Sequence, residues 1–252
     1  MTTWLLISII IGSVLLLLGL LCVLGANKRY EKLKKKYEEI PVESGVSSTD
    51  LLYYVEDSGE LDTTNMTLIN TADDNSYSPK YQTVCLSCDI IDSKSIYALA
   101  CTAHELGHAK EHQRGSRVVG LWYNLTIFEN LTSHIILPFF IIGFILSLIS
   151  GWTTYLGTLL LNLSTLFTIC AILGRLITLP TEQHASAYAL YLLKSSGAMN
   201  SGELKKAENF LNTALSTYIY GFFDRLFYNF KLVGKGINKI NNKLKKGRGQ
   251  ND

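Results

Sequence analysis

Apolar positions along much of this chain come in blocks, not in alternation. "WLLISIIIGSVLLLLGLLCVLG" (4–25) is one almost unbroken run. It is long enough to cross a bilayer as a helix. No basic residue precedes it, whereas "NKRYEKLKKKY" (27–37) follows at once. A cleaved signal peptide has the opposite order, so the run reads as a retained anchor. Positive charge after the span predicts an N-terminus outside and residue 28 onward in the cytoplasm.

A second apolar region runs from about Ile135 to Leu179 and is too long for one crossing. "SGWTTYLG" (150–157) interrupts it with small and polar residues and a tryptophan suited to an interface. The pattern predicts a hairpin of two spans, near 133–150 and 155–178. Such a hairpin returns the chain to its starting side at "LPTEQHASAYAL" (179–190). Residues 118–132 are apolar but broken by Asn124, Glu129 and Asn130. They read either as an interfacial helix or as an extension of the second span. "LSTYIYGFFDRLFYNFKLV" (215–233) carries Asp224 and Arg225 at its centre, where hydrocarbon would penalise them. The expectation is a helix lying in the interface, with a fourth span as the alternative.

Between residues 38 and 92 the pattern becomes polar, with turn signals at "ESGVSSTD", "EDSGELD" and "TADDNSYSPK". The β-prone pieces between them, "LLYYV" (51–55), "MTLI" (66–69) and "YQTVCLS" (81–87), predict a small sheet. Asp92 is placed to cap a helix that starts at Ser93 and runs through "SKSIYALACTAHELGHAKEHQ". Its alanines suit close packing against other helices. The fold class expected is mainly α with a small β-sheet, in a multi-span membrane protein. Five segments follow: an anchor (1–27); a juxtamembrane stretch with the sheet and the HELGH helix (28–117); an interfacial segment and the hairpin (118–180); further helices (181–214); and an aromatic helix with a basic tail (215–252).

Composition agrees with a membrane setting. Of 252 residues, 48% are hydrophobic, and the net charge of +2 conceals two basic blocks, 27–37 and 231–248. Basic blocks beside apolar runs indicate a lipid surface as partner, and no nucleic acid. The five cysteines are odd in number, and two, Cys22 and Cys170, lie in apolar runs, so no disulfide framework is indicated. "CLSC" (85–88) is a lone CxxC. On an extended strand its two thiols point to opposite faces, so it reads as two small strand residues.

The candidate chemistry lies in "CTAHELGHAKEH" (101–112). His104 and His108, four residues apart, share one face of a helix and can reach a single zinc ion. Glu105 would sit beside that ion as the general base for a zinc-activated water. Gly107 permits a close neighbour. His112 repeats the four-residue step, but ligands at i, i+4 and i+8 spread over about 12 Å of helix axis, so it reads as a surface residue. His134 falls at the membrane edge. The third ligand must come from another segment on the same membrane side. "LPTEQHASAYAL" offers Glu182 and His184, with Pro180 ending the membrane helix and Thr181 capping a new one. Two histidines and a glutamate form a known catalytic set, which favours Glu182 over a carboxylate that merely answers a helix dipole.

These residues resemble the YugP-type bacterial zinc-dependent membrane peptidases, a neutral zinc metallopeptidase family. The likeness runs through an N-terminal span with a basic stretch, "YSPKYQTVCLS", "SIYALACTAHELGHAKEH" and, after a hairpin, "LPTEQHASAYAL". It covers roughly residues 1–230. The resemblance implies a zincin-like catalytic domain of the HExxH, glutamate-ligand kind, interrupted by the hairpin, with Glu182 as third zinc ligand. It also implies that "TVCLS" is the edge strand beside the cleft, to which an extended peptide could add. The chain departs from the pattern at His184, where an aspartate is usual, and at Ala187 and Tyr188, where arginines are usual. It departs too at Ser78, where an aspartate is usual, and in the more polar 215–233.

The function expected is a membrane-bound zinc metalloendopeptidase acting on a protein or peptide substrate near the bilayer, on the cytoplasmic side. Tyr188, His184 and Arg175 are oxyanion candidates by type alone. The rival expectation is a catalytically silent zinc-binding scaffold or interaction protein.

Overall fold

The computed structural model describes residues 3–63, 67–71, 75–149, 151–218 and 221. Of the predicted segment 215–233, all but 215–218 and 221 therefore lies outside the described residues. Six helices and three strands follow in order: α1 (Thr3–Glu38), α2 (Ser48–Ser58), β1 (Thr67–Thr71), β2 (Ser76–Ser78), β3 (Thr83–Ser87), α3 (Cys88–Ile91), α4 (Ile96–Gln113), α5 (Arg117–Ser147) and α6 (Trp152–Ser195). A last described helix, α7, covers 201–218. The chain divides into two compact units.

The first unit draws its described residues from the chain up to Leu24, from Ile127–Leu173 and from residue 221. Here α5 and α6 approach backbone to backbone. A Cβ on Gly157 would lie 2.5 Å from the Ser147 nitrogen and 2.7 Å from the Gly143 carbonyl oxygen. Ser164 donates from Oγ to the Ile136 carbonyl at 2.9 Å, a contact that hydrocarbon would reward more than water does. Among the described residues, three helices are long and apolar enough to cross a membrane, within Ile10–Glu38, Arg117–Ser147 and Trp152–Ser195. Their outer faces leave Leu17, Leu21, Ile142, Ile145, Leu159 and Leu166 exposed.

The hairpin helices are longer than expected. Of the two readings of residues 118–132, the extension holds: they are the first half of α5, not a separate helix. Nor does α6 end at Pro180: it runs through the proline to Ser195, so Thr181 caps no new helix. Proline removes the i→i−4 donor to the Leu176 carbonyl and crowds the preceding turn, yet the helix continues through it.

The second unit comprises Gly25–Thr126 and the chain from Gly174 to the end of α7. Its core gathers Leu51, Val55, Leu86, Ile90, Ile96, Leu99, Leu106, Leu192 and Phe210. The basic end of α1 joins that core through Tyr30, whose ring lies 5.5 Å from Phe210, and through Tyr37, whose hydroxyl accepts from Asn209. Asn200 caps α7 by accepting from the Gly202 and Glu203 amides, while Glu203 accepts from the Asn200 amide, a reciprocal capping box.

Two predictions in this unit are corrected. "LLYYV" is helix, not strand: Ser47 and Asp50 form a capping box, Gly59 closes α2 in the left-handed conformation, and Leu51 and Val55 are buried one turn apart. These end signals outweigh the β-prone composition. The HELGH helix starts at Ile96, with Ser95 accepting from the Ala98 amide, so Asp92 is not its cap. Asp92 instead closes the short α3.

The sheet has the order β1-β3-β2, with β3 parallel to β1 and antiparallel to β2. β3 ("TVCLS") is therefore the central strand, not an edge. Its main chain is paired with β1 along its length and with β2 over Thr83–Cys85, which leaves it no free edge there for a peptide. The strand absent from the sequence reading, β2, lies in "NSYSPK" and packs against α4.

Candidate metal centre

Small buried residues along α4 let a neighbouring helix come close to its histidines. Ala98, Ala100, Ala103 and Ala109 have no exposed surface, and alanine forms helix at the least cost. Gly107 carries the closest approach: a Cβ there would stand 2.5 Å from the carbonyl oxygen of Ala185 and 2.8 Å from its Cα. Any side chain at 107 would push α6 away from α4. This contact brings the two sequence-distant segments into register.

The result is a cluster of His104, His108 and Glu182, whose ligand atoms all lie within 4.8 Å of one another. The two imidazoles meet edge to face with centroids 4.8 Å apart. Glu182 Oε2 is 3.3 Å from His104 Nε2 and 3.6 Å from His108 Nε2. Donors at zinc-ligand distances of about 2.0–2.1 Å in a tetrahedron stand roughly 3.4 Å apart, so these separations fit one small divalent ion. The donor types, two imidazoles and a carboxylate, are those of a catalytic rather than a purely structural zinc site. The cluster is open on one flank: the His104 side chain is 18% exposed, against 3% for His108.

Neighbouring groups fix the cluster. His104 Nδ1 lies 3.2 Å from Ser186 Oγ. Trp122, on α5, donates from Nε1 to Glu182 Oε1 at 3.0 Å and stacks on His108, centroids 5.0 Å apart and planes 16° apart. Neither Ser186 nor Trp122 was singled out from sequence. Ser186 stands in the same segment as Glu182, one helical turn on, and that spacing was an available signal. Trp122 had none, since its role depends on the path of α5.

Glu105 is buried beside the cluster. Burial pushes its carboxyl up to about 7; Glu182 pushes the same way, while His104 and the backbone N–H of Tyr77 on β2 pull it down. β2 is thus tied to α4 by its main chain. It is tied again by its side chain, for the Tyr77 hydroxyl lies 2.8 Å from His112 Nδ1. His112 is accordingly outside the cluster. His184 is also outside it, on the exposed side of α6, with Nδ1 3.1 Å from Glu111 Oε1. His134 Nδ1 donates to the Asn130 carbonyl, 2.7 Å away.

Among the oxyanion candidates, Arg175 donates to the Tyr218 carbonyl and lies 4.4 Å from that ring's centre. Tyr188 and His184 line a separate cavity of about 480 Å³, together with Glu60, Lys110, Glu111 and Arg114.

Comparison with known proteins places the chain. The family described as "Putative neutral zinc metallopeptidase" matches residues 12–234. A curated relative, "Putative membrane protease YugP" of Bacillus subtilis (strain 168), is 26% identical over 200 residues, covering 79% of this chain and 84% of its own length. No solved structure matches.

Proposed function

Because the chain belongs to this neutral zinc metallopeptidase family, we propose that it is a membrane-bound zinc endopeptidase in which His104, His108 and Glu182 hold the ion and Glu105 is the general base. The observation that carries the reading is the approach of one Glu182 oxygen to both Nε2 atoms, at 3.3 and 3.6 Å. Those residues are 74 and more positions apart in sequence and come from two different helices.

Bound at these three donors, zinc would supply the Lewis acid that makes a water acidic and polarises the scissile carbonyl. The chain's own residues do the rest. Glu105 accepts a proton from the attacking water as its oxygen bonds to the carbonyl carbon. The same carboxyl then protonates the amide nitrogen as the C–N bond breaks. Its burial, which outweighs the downward pull of His104 and of the Tyr77 N–H, favours a base poised near neutrality rather than a solvated carboxylate. The exposed flank of His104 leaves room for the substrate. The membrane helices and the basic end of α1 favour a protein or peptide substrate close to the bilayer, on the cytoplasmic side.

The test uses detergent-purified full-length protein and a quenched fluorescent peptide library. Wild type should cleave, lose activity to a chelator and regain it with zinc. Glu105→Gln should keep zinc while losing at least a hundredfold in rate. Equal turnover in Glu105→Gln and wild type would overturn the assignment. Zinc in both with cleavage in neither would favour a silent scaffold.

A further inference from the structure

Metal-binding histidines ordinarily donate their second ring nitrogen to a carboxylate, a carbonyl or a water, and that bond sets the ring's orientation. His104 follows the rule through Ser186. His108 does not: among the described residues its buried Nδ1 has no hydrogen-bond partner, and its side chain is only 3% exposed. Something else must hold this ring. The indole of Trp122 lies nearly parallel on it, 5.0 Å away. The same indole donates to Glu182 Oε1, leaving Oε2 turned toward the two imidazoles.

We propose that Trp122 is the positioning residue of the metal centre, orienting His108 by stacking and Glu182 by its N–H. This deepens the zinc reading above and rests on it. One side chain thus restrains two ligands drawn from α4 and α6. The face of the indole limits rotation of the imidazole about its Cβ–Cγ bond. The N–H satisfies the carboxylate oxygen that faces away from the histidines, so the carboxylate cannot swing without losing a bond in a buried place. Trp122 acts through His108 and Glu182, so it is not a catalytic residue.

Three full-length variants separate the two contacts. Trp122→Phe keeps an aromatic face and loses the N–H. Trp122→Leu loses both. Trp4→Phe/Trp152→Phe leaves Trp122 as the sole tryptophan. Zinc affinity is read by chelator competition in detergent. The expected loss is about tenfold for Trp122→Phe and nearer a hundredfold for Trp122→Leu, the range found when outer partners of metal ligands are removed. The absorption bands of bound Co²⁺ should also shift in both variants, since a misplaced carboxylate changes the ligand field. In the single-tryptophan protein, which keeps Trp122 intact, Co²⁺ should quench indole emission in step with site occupancy. Wild-type affinity and an unshifted Co²⁺ spectrum in both variants would overturn the proposal. So would unquenched emission at full occupancy in the single-tryptophan protein. If wild type itself takes up neither zinc nor cobalt, the metal reading falls first and this proposal with it.

Discussion

At the scale of single residues, the centre combines three imidazole and carboxylate donors with one buried acid. Glu105 is where charge and fold conflict. Its carboxyl titrates near 7 in the metal-free protein, chiefly because it is buried, against about 4.3 in an unfolded chain. A folded pKa above the unfolded value means that the native state holds a proton the unfolded state has lost. Stability relative to a permanently neutral side chain therefore falls as pH rises from about 4.5 and levels off above about 7. Glu105→Gln should accordingly stabilise the chelator-treated protein little at pH 4.5 and on the order of 3 kcal/mol at pH 8. Melting curves at both pH values check this. An equal gain at the two would mean that Glu105 is not strained by burial. That His104 and His108 lie together on one helix face was legible in the sequence, because a four-residue step is one turn of a helix. Glu182 was legible by residue type, but the reasoning through Pro180 was mistaken. The proline marks no helix end; Glu182 faces α4 from within the last third of α6.

At the scale of elements, glycine contacts decide how the helices meet. Gly107 lies against the Ala185 backbone, and neither helix can yield without moving His108 or Glu182. Gly107→Ala should cost about 1–3 kcal/mol, as overpacking does, and should weaken zinc binding in parallel. Unchanged melting temperature and zinc affinity would show that the helices are not in backbone contact. In the other unit, Gly157→Leu should lower the melting temperature in detergent, since the Ser147 and Gly143 backbones leave its side chain no space. An unaltered melt would contradict that packing. Spacing in the sequence shows a glycine but not the partner it admits, so this geometry was out of reach. The small sheet was half legible for a related reason. β1 and β3 carry Leu68, Ile69, Val84 and Leu86 in extended runs, whereas β2 is three residues, Ser76–Ser78. It is a strand only because β3 pairs with it and α4 receives Tyr77.

At the scale of the whole molecule, the chain joins helices fit for a bilayer to a small domain that carries the cluster. The order of apolar runs and basic blocks was legible without a structure, because hydrocarbon thickness and charge asymmetry act on composition. The side of the membrane is checked with Cys88, which is exposed. With the other four cysteines replaced by serine, an impermeant maleimide should label Cys88 in opened cells and not in intact ones. Labelling in intact cells would put the domain outside. The central claim, one zinc held by residues from α4 and α6, is tested most directly by the zinc content of purified wild type beside Glu182→Ala. The expected result is one zinc per chain in the wild type and clear loss in the variant. Equal zinc in both, or none in the wild type after reconstitution, would contradict it.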